Sequence, residues 1–299
     1  MKDQLVDTYG RVHRDLRISV TDRCNFRCQY CMPEEGMEWT PREDLLTFEE
    51  IERLASILVN KFGIESIRLT GGEPTVRANL SKLIEKLSKL DVDLSLTTNG
   101  ATLPLVASDL YNAGLDRINI SLDTLDRQRF ESLTRRDNLD QVLNGIEIAK
   151  SVGFDPVKVN MVVMKGVNDD EVLDFVSYGR TNGVIVRFIE FMPLDADETW
   201  EKSKVMSQKD ILALISSHYD LEPLSRGSSP AARWKFTDGP GEIGIIATVS
   251  EAFCDSCDRI RLTADGKFRN CLFAIDEYDV RKLLRDNAGD EEIIKLFSH

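Results

Sequence analysis

The chain has 299 residues, of which 42% are hydrophobic and 30% are charged, as in soluble globular proteins. Its formal net charge is −13, and an acidic field of this size argues against nonspecific binding to nucleic acid or to an anionic membrane. An anionic substrate would therefore need a local group of Arg and Lys side chains.

Between residues 14 and 195, short apolar runs rich in β-branched residues alternate with amphipathic helical patterns. In the first helical pattern, Thr47 is the predicted N-cap, Glu50 completes a capping box and Gly63 ends the helix. The predicted strands are "LRISV" (16–20), "SIRLT" (66–70), "DLSLTTN" (93–99), "RINISL" (117–122), "VKVNMVVM" (157–164) and "VIVRFIE" (184–190).

Repeated β-then-α units predict parallel strands joined by right-handed crossovers. Six such units favour an α/β fold with an incomplete (β/α)6-type TIM barrel, in which ligands bind at the carboxyl ends of the strands. The motifs "GGEP", "TNG", "SLD" and "EFMP" each follow a predicted strand. We therefore expect the site at that end, with Glu190 of "EFMP" facing the barrel mouth.

The pattern changes near residue 195, where a polar and turn-rich segment begins. It is followed by short strands in "IGIIATV" and "IRLTADGKFRN", the second with an Asp-Gly turn. We predict a barrel domain over residues 1–195 and a C-terminal region over 196–299, whose small β-containing layer closes one end of the barrel. The last segment, "DEEIIKLFSH", is predicted to be helical.

The six cysteines form two triplets at opposite ends of the chain. The spacing is C-x3-C-x2-C for Cys24, Cys28 and Cys31, and C-x2-C-x13-C for Cys254, Cys257 and Cys271. The amino terminus lacks the features of a signal peptide, and no apolar run is long enough to span a membrane. We therefore expect a cytoplasmic location, where disulfides are uncommon.

Closely spaced cysteines generally indicate a metal site. A structural zinc ion needs four ligands, and none of the three histidines neighbours either triplet, although His13 is a candidate fourth ligand for the first. A [4Fe–4S] cluster normally takes four thiolates, so three would leave one iron open to a non-protein ligand. The two triplets therefore favour two iron–sulfur clusters, each with an open iron, over zinc.

The motif "CNFRCQYC" resembles the signature of the radical S-adenosylmethionine (SAM) enzymes, and "GGEP" at 71–74 resembles their SAM-binding turn. The second triplet, followed directly by "DRIRL", resembles the branch that acts in molybdenum cofactor biosynthesis, the GTP 3′,8-cyclases. The likeness continues through "IRLTGGEPTVR", "LTTNG", "INISLDTLD", "VKVNMVVMKGVND" and "RFIEFMP". It therefore covers nearly the whole chain.

The resemblance implies SAM and two [4Fe–4S] clusters as cofactors, with one cluster on each triplet. The first cluster would bind SAM, and the open iron of the second would bind the guanine edge of GTP. The implied SAM contacts are Tyr30, Gly72, Ser121 and Met192. The implied GTP contacts are Arg17, Arg68, Thr97, Lys158, Arg259 and Arg261, of which Arg17, Arg259 and Arg261 are the candidate catalytic residues. Independently of the resemblance, five cations placed at strand ends and beside the second triplet would offset the charge of a triphosphate.

The implied reaction converts GTP to (8S)-3′,8-cyclo-7,8-dihydroguanosine 5′-triphosphate. The implied partners are a low-potential electron donor of the flavodoxin or ferredoxin type, a downstream cyclic pyranopterin monophosphate synthase and a second copy of the chain. Nucleic acid and membrane are not expected partners. Many family members end in a Gly-Gly tail near the arginines, whereas this sequence ends at Ser298-His299. If that tail completes the site, we expect poor turnover.

Two alternatives compete with this interpretation. A peptide-modifying radical SAM enzyme would usually have more C-terminal cysteines and lack the "CDRIRL" context. A non-enzymatic scaffold with two structural metals would leave the "GGEP" turn and the cations unexplained. In "SLDTLD", Asp123 and Asp126 are interpreted as loop and helix-cap groups rather than catalytic ones.

Overall fold

A computed structural model of the chain describes residues 3–33, 36–194, 200–227 and 229–297. The predicted domain boundary at 195 and the chain end at 298–299 lie outside the described residues. The strands are β1 Leu5–Val6, β2 Val12–His13, β3 Asp15–Ser19, β4 Ser66–Thr70, β5 Asp93–Thr98, β6 Arg117–Ser121, β7 Lys158–Val163, β8 Ile185–Glu190, β9 Leu221–Leu224, β10 Ala232–Phe236, β11 Glu242–Ile246, β12 Arg259–Leu262, β13 Lys267–Arg269 and β14 Tyr278–Asp279. The helices are α1 Phe48–Phe62, α2 Leu80–Leu87, α3 Leu103–Asn112, α4 Arg127–Thr134, α5 Leu139–Val152, α6 Val172–Asn182, α7 Gln208–Ser216, α8 Val280–Arg285 and α9 Asp290–Phe297.

The centre of the fold is a run of six parallel strands, β3 to β8, that lie side by side in chain order. Helices α1 to α6 connect them, with two helices between β6 and β7. This is the (β/α)6 arrangement predicted from the sequence. Among the described residues the sheet stays open at its edges, so the barrel is incomplete, as expected.

Helix α1 forms where its capping signals predict. The side chain of Thr47 accepts a hydrogen bond from the Glu50 amide at 3.1 Å, and the Glu50 carboxylate accepts one from the Thr47 amide at 2.7 Å. Gly63 ends the helix in the left-handed region with φ 72°. The helix begins and ends at residues fixed by local chemistry, which is why its bounds could be predicted.

The C-terminal strands extend the same sheet at both of its edges. Strand β11 pairs in parallel with β8, and antiparallel β10 and β9 follow it outward. At the other edge β12 pairs in parallel with β3, and the β12–β13 hairpin with its Asp-Gly turn leads to β14. The expected C-terminal β structure is therefore present, but it flanks the barrel strands instead of lying over one end.

The two faces of the parallel sheet have opposite character. Side chains toward the helices are apolar and fully buried, for example Leu16, Ile18, Ile67 and Leu69, each at 0% exposure. Because side chains alternate along a strand, the residues between them point into the barrel. These interior residues are polar or charged, which makes the barrel interior the place to search for a binding site.

None of the helices in the described ranges combines the length and apolar character needed to cross a lipid bilayer.

Candidate active site

The first cysteine loop, residues 24–31, follows β3 and rests on the end of α4. The amide of Arg27 donates to the Thr134 carbonyl at 3.0 Å, and the amide of Gln29 donates to the Leu133 carbonyl at 2.9 Å. The last carbonyls of a helix have no partner within the helix. The loop supplies those partners, so its backbone is fixed before any cluster binds.

The two glycines of "GGEP" allow this part of the chain to pack closely. A Cβ on Gly71, whose φ is 151°, would lie 2.3 Å from the Thr21 carbonyl oxygen, and a Cβ on Gly72 would lie 2.4 Å from the Arg23 carbonyl oxygen. The resemblance implies that this turn binds SAM, with Gly72 as a contact. The contact that requires both glycines in this structure is with the backbone just before Cys24.

Glu73 joins this turn to the next one, and the sequence analysis did not single it out. Its side chain is buried, with the residue only 1% exposed, and it accepts hydrogen bonds from Thr75, from the Thr98 hydroxyl at 2.7 Å and from the Asn99 amide at 2.6 Å. Burial raises the pKa of Glu73, while these hydrogen bonds oppose the shift. The Asn99 side-chain amide in turn lies 3.9 Å from the Cys24 sulfur, so Glu73 supports the cysteine loop through Asn99.

All three thiols of the first triplet are free, with Cys24 and Cys28 half-buried and Cys31 exposed. Burial raises the pKa values of Cys24 and Cys28. Iron binding must then displace their protons. In the described part of the chain, no three His, Cys, Asp or Glu side chains are grouped around the position of a single metal ion.

His13 does not approach the first triplet, contrary to its role as a candidate zinc ligand. It is buried on β2, with its Nε2 atom 3.3 Å from Asp7 Oδ2. Burial lowers its pKa. The backbone of Asp258, which directly follows Cys257, also affects the pKa of His13. His13 therefore lies near the second triplet.

The second triplet brackets the β12–β13 hairpin. Cys254 lies in a short 3-10 helix and Cys257 just before β12, while Cys271 follows β13. The Arg11 guanidinium donates to the Cys254 carbonyl at 3.0 Å. Burial lowers the pKa of Arg261, and the nearby Cys257 and Cys271 oppose that shift, so this side chain lies close to the second triplet.

The two triplets lie at opposite ends of the parallel strands. The first follows the carboxyl end of β3, whereas Cys257 precedes the amino end of β12, which runs parallel to β3. The antiparallel strand β13 brings Cys271 back to the same end as Cys257. A ligand that reaches both triplets must therefore run through the barrel interior.

A cavity of about 270 Å³ occupies this interior. Its lining includes eight of the site residues predicted from the sequence: Arg17, Tyr30, Arg68, Thr97, Ser121, Met192, Arg259 and Arg261. Gly72 and Lys158 are not among the described residues that line it. Tyr30 and Leu272 each neighbour a triplet cysteine in sequence, so the lining extends from one triplet towards the other.

Arginines dominate one side of the cavity. Arg261, Arg17 and Arg68 are register partners on three adjacent parallel strands, and Arg259 lies two residues before Arg261. We call these four residues the arginine row. Arg17 and Arg68 are the central residues of their strands, so the expectation that the cations lie at strand ends is wrong for these two.

The arginine row is short of partners. The Nε atoms of all four guanidinium groups are buried and have no hydrogen-bond partner among the described residues. Asp15 Oδ1 lies 3.6 Å from Arg17 Nε, which gives partial charge compensation without a hydrogen bond. Burial and the charge of Arg68 lower the pKa of Arg17, and burial lowers that of Arg68. Buried donors of this kind require an acceptor.

Arg187 is a further cavity-lining cation that the sequence analysis missed. Its Nε donates to Asn160 Oδ1 at 2.9 Å and its Nη2 donates to Asn119 Oδ1. A charged residue inside the apolar run "VIVRFIE" was the available signal, because Arg is rarely buried without a partner or a ligand.

The predicted Lys158 lies at the start of β7, in the electrostatic field of this group. Burial lowers the pKa of Lys158 to about 8, and the charges of Arg187, Arg117 and Arg68 act in the same direction. Lys158 therefore adds positive charge to the part of the barrel that holds the arginine row. It is not among the described residues that line the cavity.

On the opposite side of the cavity, Tyr30 is held by Asp123. The Tyr30 hydroxyl donates to Asp123 Oδ2 at 2.5 Å, and the Val162 amide donates to Asp123 Oδ1 at 2.8 Å. Burial raises the pKa of Asp123 to about 6. The interpretation of Asp126 as a helix cap is confirmed, since it accepts from the Arg129 amide at 2.7 Å and caps α4.

Glu190 does not face the barrel mouth, contrary to expectation. It is 0% exposed and its carboxylate accepts hydrogen bonds from the amides of Gln208 at 2.7 Å, Val249 at 2.8 Å and Ser250 at 2.8 Å. These hydrogen bonds connect the end of β8 to the start of α7 and to residues 249–250. Strand alternation alone could not distinguish a mouth residue from a buried anchor.

Known proteins resemble the chain over almost its full length. Residues 18–179 match the radical SAM superfamily and residues 184–299 match the molybdenum cofactor synthesis C family. The chain is 49% identical over 298 residues to a GTP 3′,8-cyclase of Streptomyces coelicolor, which covers 98% of this chain and 87% of that protein. It is 47% identical over 297 residues to GTP 3′,8-cyclase 2 of Mycobacterium bovis, which covers 97% of this chain and 82% of that protein.

A solved structure of SuiB from Streptococcus suis, bound to S-adenosylmethionine, superposes with a TM-score of 0.66 at 14% identity. The superposition covers 94% of this chain and 67% of that chain, and it supports the fold alone. The specific assignment comes from the sequence relatives. On these grounds the chain belongs to the GTP 3′,8-cyclase family of the radical SAM superfamily.

Proposed function

We propose that the chain converts GTP to (8S)-3′,8-cyclo-7,8-dihydroguanosine 5′-triphosphate, the first step of molybdenum cofactor biosynthesis. The observation that carries this proposal is the arginine row, with four buried Nε donors that lack partners and line a cavity between two cysteine triplets. A nucleoside triphosphate is polyanionic and rich in acceptors, so it is suited to guanidinium donors.

The cofactors of this family are SAM and [4Fe–4S] clusters, and the donor sets fit them. Each triplet offers three free thiols, one fewer than the four thiolates that a cubane cluster normally takes. When bound, the first cluster supplies the electron that cleaves SAM to methionine and a 5′-deoxyadenosyl radical. The second triplet would hold a cluster whose open iron takes the guanine edge.

The arginine row and its neighbours would bind GTP. Arg17, Arg68, Arg259 and Arg261 offer unpaired donors to phosphate oxygens, and Lys158 adds positive charge. Thr97 lines the same cavity and offers a hydroxyl. Because water-poor surroundings strengthen these contacts, a buried cationic interior can hold a triphosphate even in a chain of net charge −13.

Residues at the carboxyl end of the strands would bind SAM. Tyr30, Ser121 and Met192 line the cavity on the side of the first triplet. Gly72 would act through its backbone, in the turn that packs against residues 21–23. The hydrogen bond from Tyr30 to Asp123 fixes the aromatic ring next to Cys31, which is what a positioned cofactor requires.

When bound, SAM would supply the radical chemistry that removes one hydrogen atom from C3′ of the ribose, after which C3′ would bond to C8 of guanine. One electron from the external donor and one proton would complete the dihydro product. The task of the chain is to hold C3′ near the radical and to exclude competing hydrogen donors. An interior cavity between the triplets serves both needs.

Several finer assignments follow from the same proposal. The SAM-binding part would be residues 1–195, and the part with the second cluster would be 196–299. A flavodoxin- or ferredoxin-type protein would donate electrons, and a cyclic pyranopterin monophosphate synthase would consume the product. We place the enzyme in the cytoplasm as a homodimer.

The direct test is anaerobic reconstitution with iron and sulfide, followed by dithionite, SAM and GTP. We expect 5′-deoxyadenosine together with conversion of GTP to the cyclised triphosphate. The Arg259→Ala/Arg261→Ala variant should lose GTP conversion. Arg14→Ala is the matched control, because Arg14 is half exposed and pairs with Glu65 away from the cavity.

The outcomes separate the possible errors. Deoxyadenosine without GTP conversion would mean a radical SAM enzyme with another substrate. Absence of both, in protein with a full complement of iron and sulfide, would overturn the proposed chemistry. Equal loss in the Arg14→Ala control would show that the double variant fails for reasons unrelated to the cavity.

A further inference from the structure

The side chain of Phe253 connects the second cysteine triplet to the arginine row. Phe253 directly precedes Cys254 and is half-buried. Its carbonyl oxygen accepts hydrogen bonds from the amide and from the hydroxyl of Ser256, both at 3.2 Å. The backbone at residue 253 is therefore held within the second cysteine loop, and the aromatic side chain extends from a fixed position.

Two guanidinium groups stack on the Phe253 ring. The Cζ atom of Arg259 lies 4.8 Å from the ring centroid, and that of Arg226 lies 4.7 Å from it. Both distances are within the range of about 6 Å over which the face of an aromatic ring attracts a cation. Among the described residues, neither guanidinium forms an ion pair with a carboxylate. The ring is therefore a stabilising partner of both cations.

Arg180 shows how a stacked arginine differs when it has a purely structural role. Its Cζ atom lies 5.1 Å from the centroid of Tyr219 and 4.6 Å from that of Phe236. It also pairs with Asp238 at 3.0 Å, which compensates its charge without a ligand. Arg259 has the aromatic contact but a buried Nε atom without a hydrogen-bond partner. Because stacking uses the face of the guanidinium group and not its N–H groups, the donors of Arg259 stay available to a ligand.

Arg226 connects the same ring to another part of the cavity wall. Its Nε donates to the Ser229 carbonyl and its Nη2 donates to the Pro230 carbonyl, both at 2.8 Å. Pro230 and Arg259 line the cavity, whereas Phe253 is not among the described residues that do so. A change in the Phe253 ring should therefore alter the cavity without removing any group that lines it.

We propose that Phe253 is a positioning residue that orients the Arg259 guanidinium for contact with a bound triphosphate. This inference rests on the proposed function, in which the arginine row binds the phosphates of GTP. Phe253 would act through Arg259 and not by contact with the substrate. A donor that is already held in its binding orientation loses less conformational freedom when the ligand binds, so the affinity is higher.

The alternative role for Phe253 is to shield the second cluster from water. Phe273 offers a matched control, because it lies two residues after Cys271 and so has a similar position beside the same triplet. Its side chain is 56% exposed, and in the described part of the chain its ring stacks on no cation and on no other ring. A difference between the two phenylalanines would therefore come from the stacked arginines.

The test measures binding of GTP and of inorganic triphosphate to the anaerobically reconstituted enzyme by titration calorimetry. Phe253→Leu removes the aromatic face and keeps an apolar side chain, whereas Phe253→Tyr keeps the face. We expect Phe253→Leu to weaken binding of both anions roughly three- to tenfold. Phe253→Tyr and the control Phe273→Leu should bind them as the unaltered enzyme does. The iron and sulfide content should be the same in all of these proteins.

A double-mutant cycle with Arg259→Met shows whether the effect passes through Arg259. Phe253→Leu should weaken triphosphate binding when Arg259 is present and should have no further effect in the Arg259→Met variant. A general structural role for the ring would weaken binding by the same factor in both backgrounds. That result would contradict the positioning role.

Other results would also overturn the proposal. These are no binding of either anion by the unaltered enzyme, unchanged affinity in Phe253→Leu, or an equal loss of affinity in Phe273→Leu. A loss of iron and sulfide in Phe253→Leu alone would assign the ring to the cluster and reject the positioning role. If binding of inorganic triphosphate depends on Phe253 as expected but GTP is not converted under dithionite, the proposed function fails and the positioning role stands.

Discussion

The two sides of the barrel interior differ in how their polar groups are satisfied. On the bonded side, Arg187 is held by two asparagines and Asp123 by Tyr30 and Val162. Glu73, which is not among the cavity-lining residues, likewise has its partners in the turns that support the cysteine loop. On the other side, the arginine row keeps four buried Nε atoms without hydrogen-bond partners. Both sides are buried and charged, yet only one is complete without a ligand.

This difference indicates which side is built for substrate. A buried donor without an acceptor destabilises the ligand-free protein, so the arginine row costs stability until an anion binds. The groups of the bonded side already have hydrogen-bond partners, so they stabilise the protein without a ligand. Removal of a side chain from the bonded side should mainly lower stability. Removal of a side chain from the arginine row should mainly weaken ligand binding.

The largest effect is expected for Glu73→Ala, because this buried carboxylate, like the groups of the bonded side, already has its partners in the ligand-free protein. The substitution removes one buried carboxylate and leaves the Thr98 hydroxyl and the Asn99 amide without their acceptor. We expect the free energy of unfolding to fall by about 3 to 5 kcal/mol. Chemical denaturation of the anaerobic protein measures it. Glu49→Ala, at a side chain 73% exposed, is the control, and a loss below 1 kcal/mol at Glu73 would refute its supporting role.

Arg187→Met should come next, also as a loss of stability. The variant would leave the side-chain oxygens of Asn119 and Asn160 buried without this donor. An unsatisfied buried group costs about 1 to 3 kcal/mol, so a total near 2 to 3 kcal/mol is expected. Thermal unfolding of the ligand-free protein gives the value, and an unchanged Tm would show that Arg187 belongs with the arginine row.

Arg68→Met is the matched substitution on the unpaired side. It removes a buried cation that has no hydrogen-bond partner at Nε, so the ligand-free protein should unfold at the same temperature or a higher one. GTP binding should weaken roughly 10- to 100-fold, which corresponds to the loss of one charge-assisted contact of about 1.5 to 3 kcal/mol. Calorimetry with GTP measures the affinity. A destabilised variant with normal affinity would invert the comparison between the two sides.

Local signals in the sequence were sufficient for the barrel strands and their order. "SIRLT" was predicted and observed at the same residues, and α1 starts and ends at its predicted caps. The position of the C-terminal strands was not predictable in this way. Strand β12 pairs with β3 across about 240 residues of chain, and such pairing depends on tertiary packing and not on local pattern.

The candidate site could also be predicted only in part from the sequence. The cavity brings together eight residues named from the sequence, because their motifs follow or lie within parallel strands. Glu73 was missed and Glu190 was misjudged, since a carboxylate at a strand end looks the same in sequence whether it faces a ligand or a set of backbone amides. Arg187 was missed although its apolar context was visible. A charged residue inside a buried strand therefore indicates a binding site more reliably than a charged residue at the end of a strand.

The smallest effect expected is a pH dependence from Lys158. Burial, with the charges of Arg187, Arg117 and Arg68, lowers its pKa to about 8, so part of the ligand-free population is neutral at that pH. A bound triphosphate favours the charged amine and raises the pKa, so binding takes up protons near pH 8 and weakens as pH rises above it. Calorimetry in buffers of different ionisation enthalpy measures this uptake, between pH 7.5 and 9. Lys158→Met should bind more weakly and without that proton uptake, by a factor of a few. If the unaltered protein takes up no protons in this range, the Lys158 amine does not interact with the bound triphosphate. The arginine row alone would then bind the triphosphate.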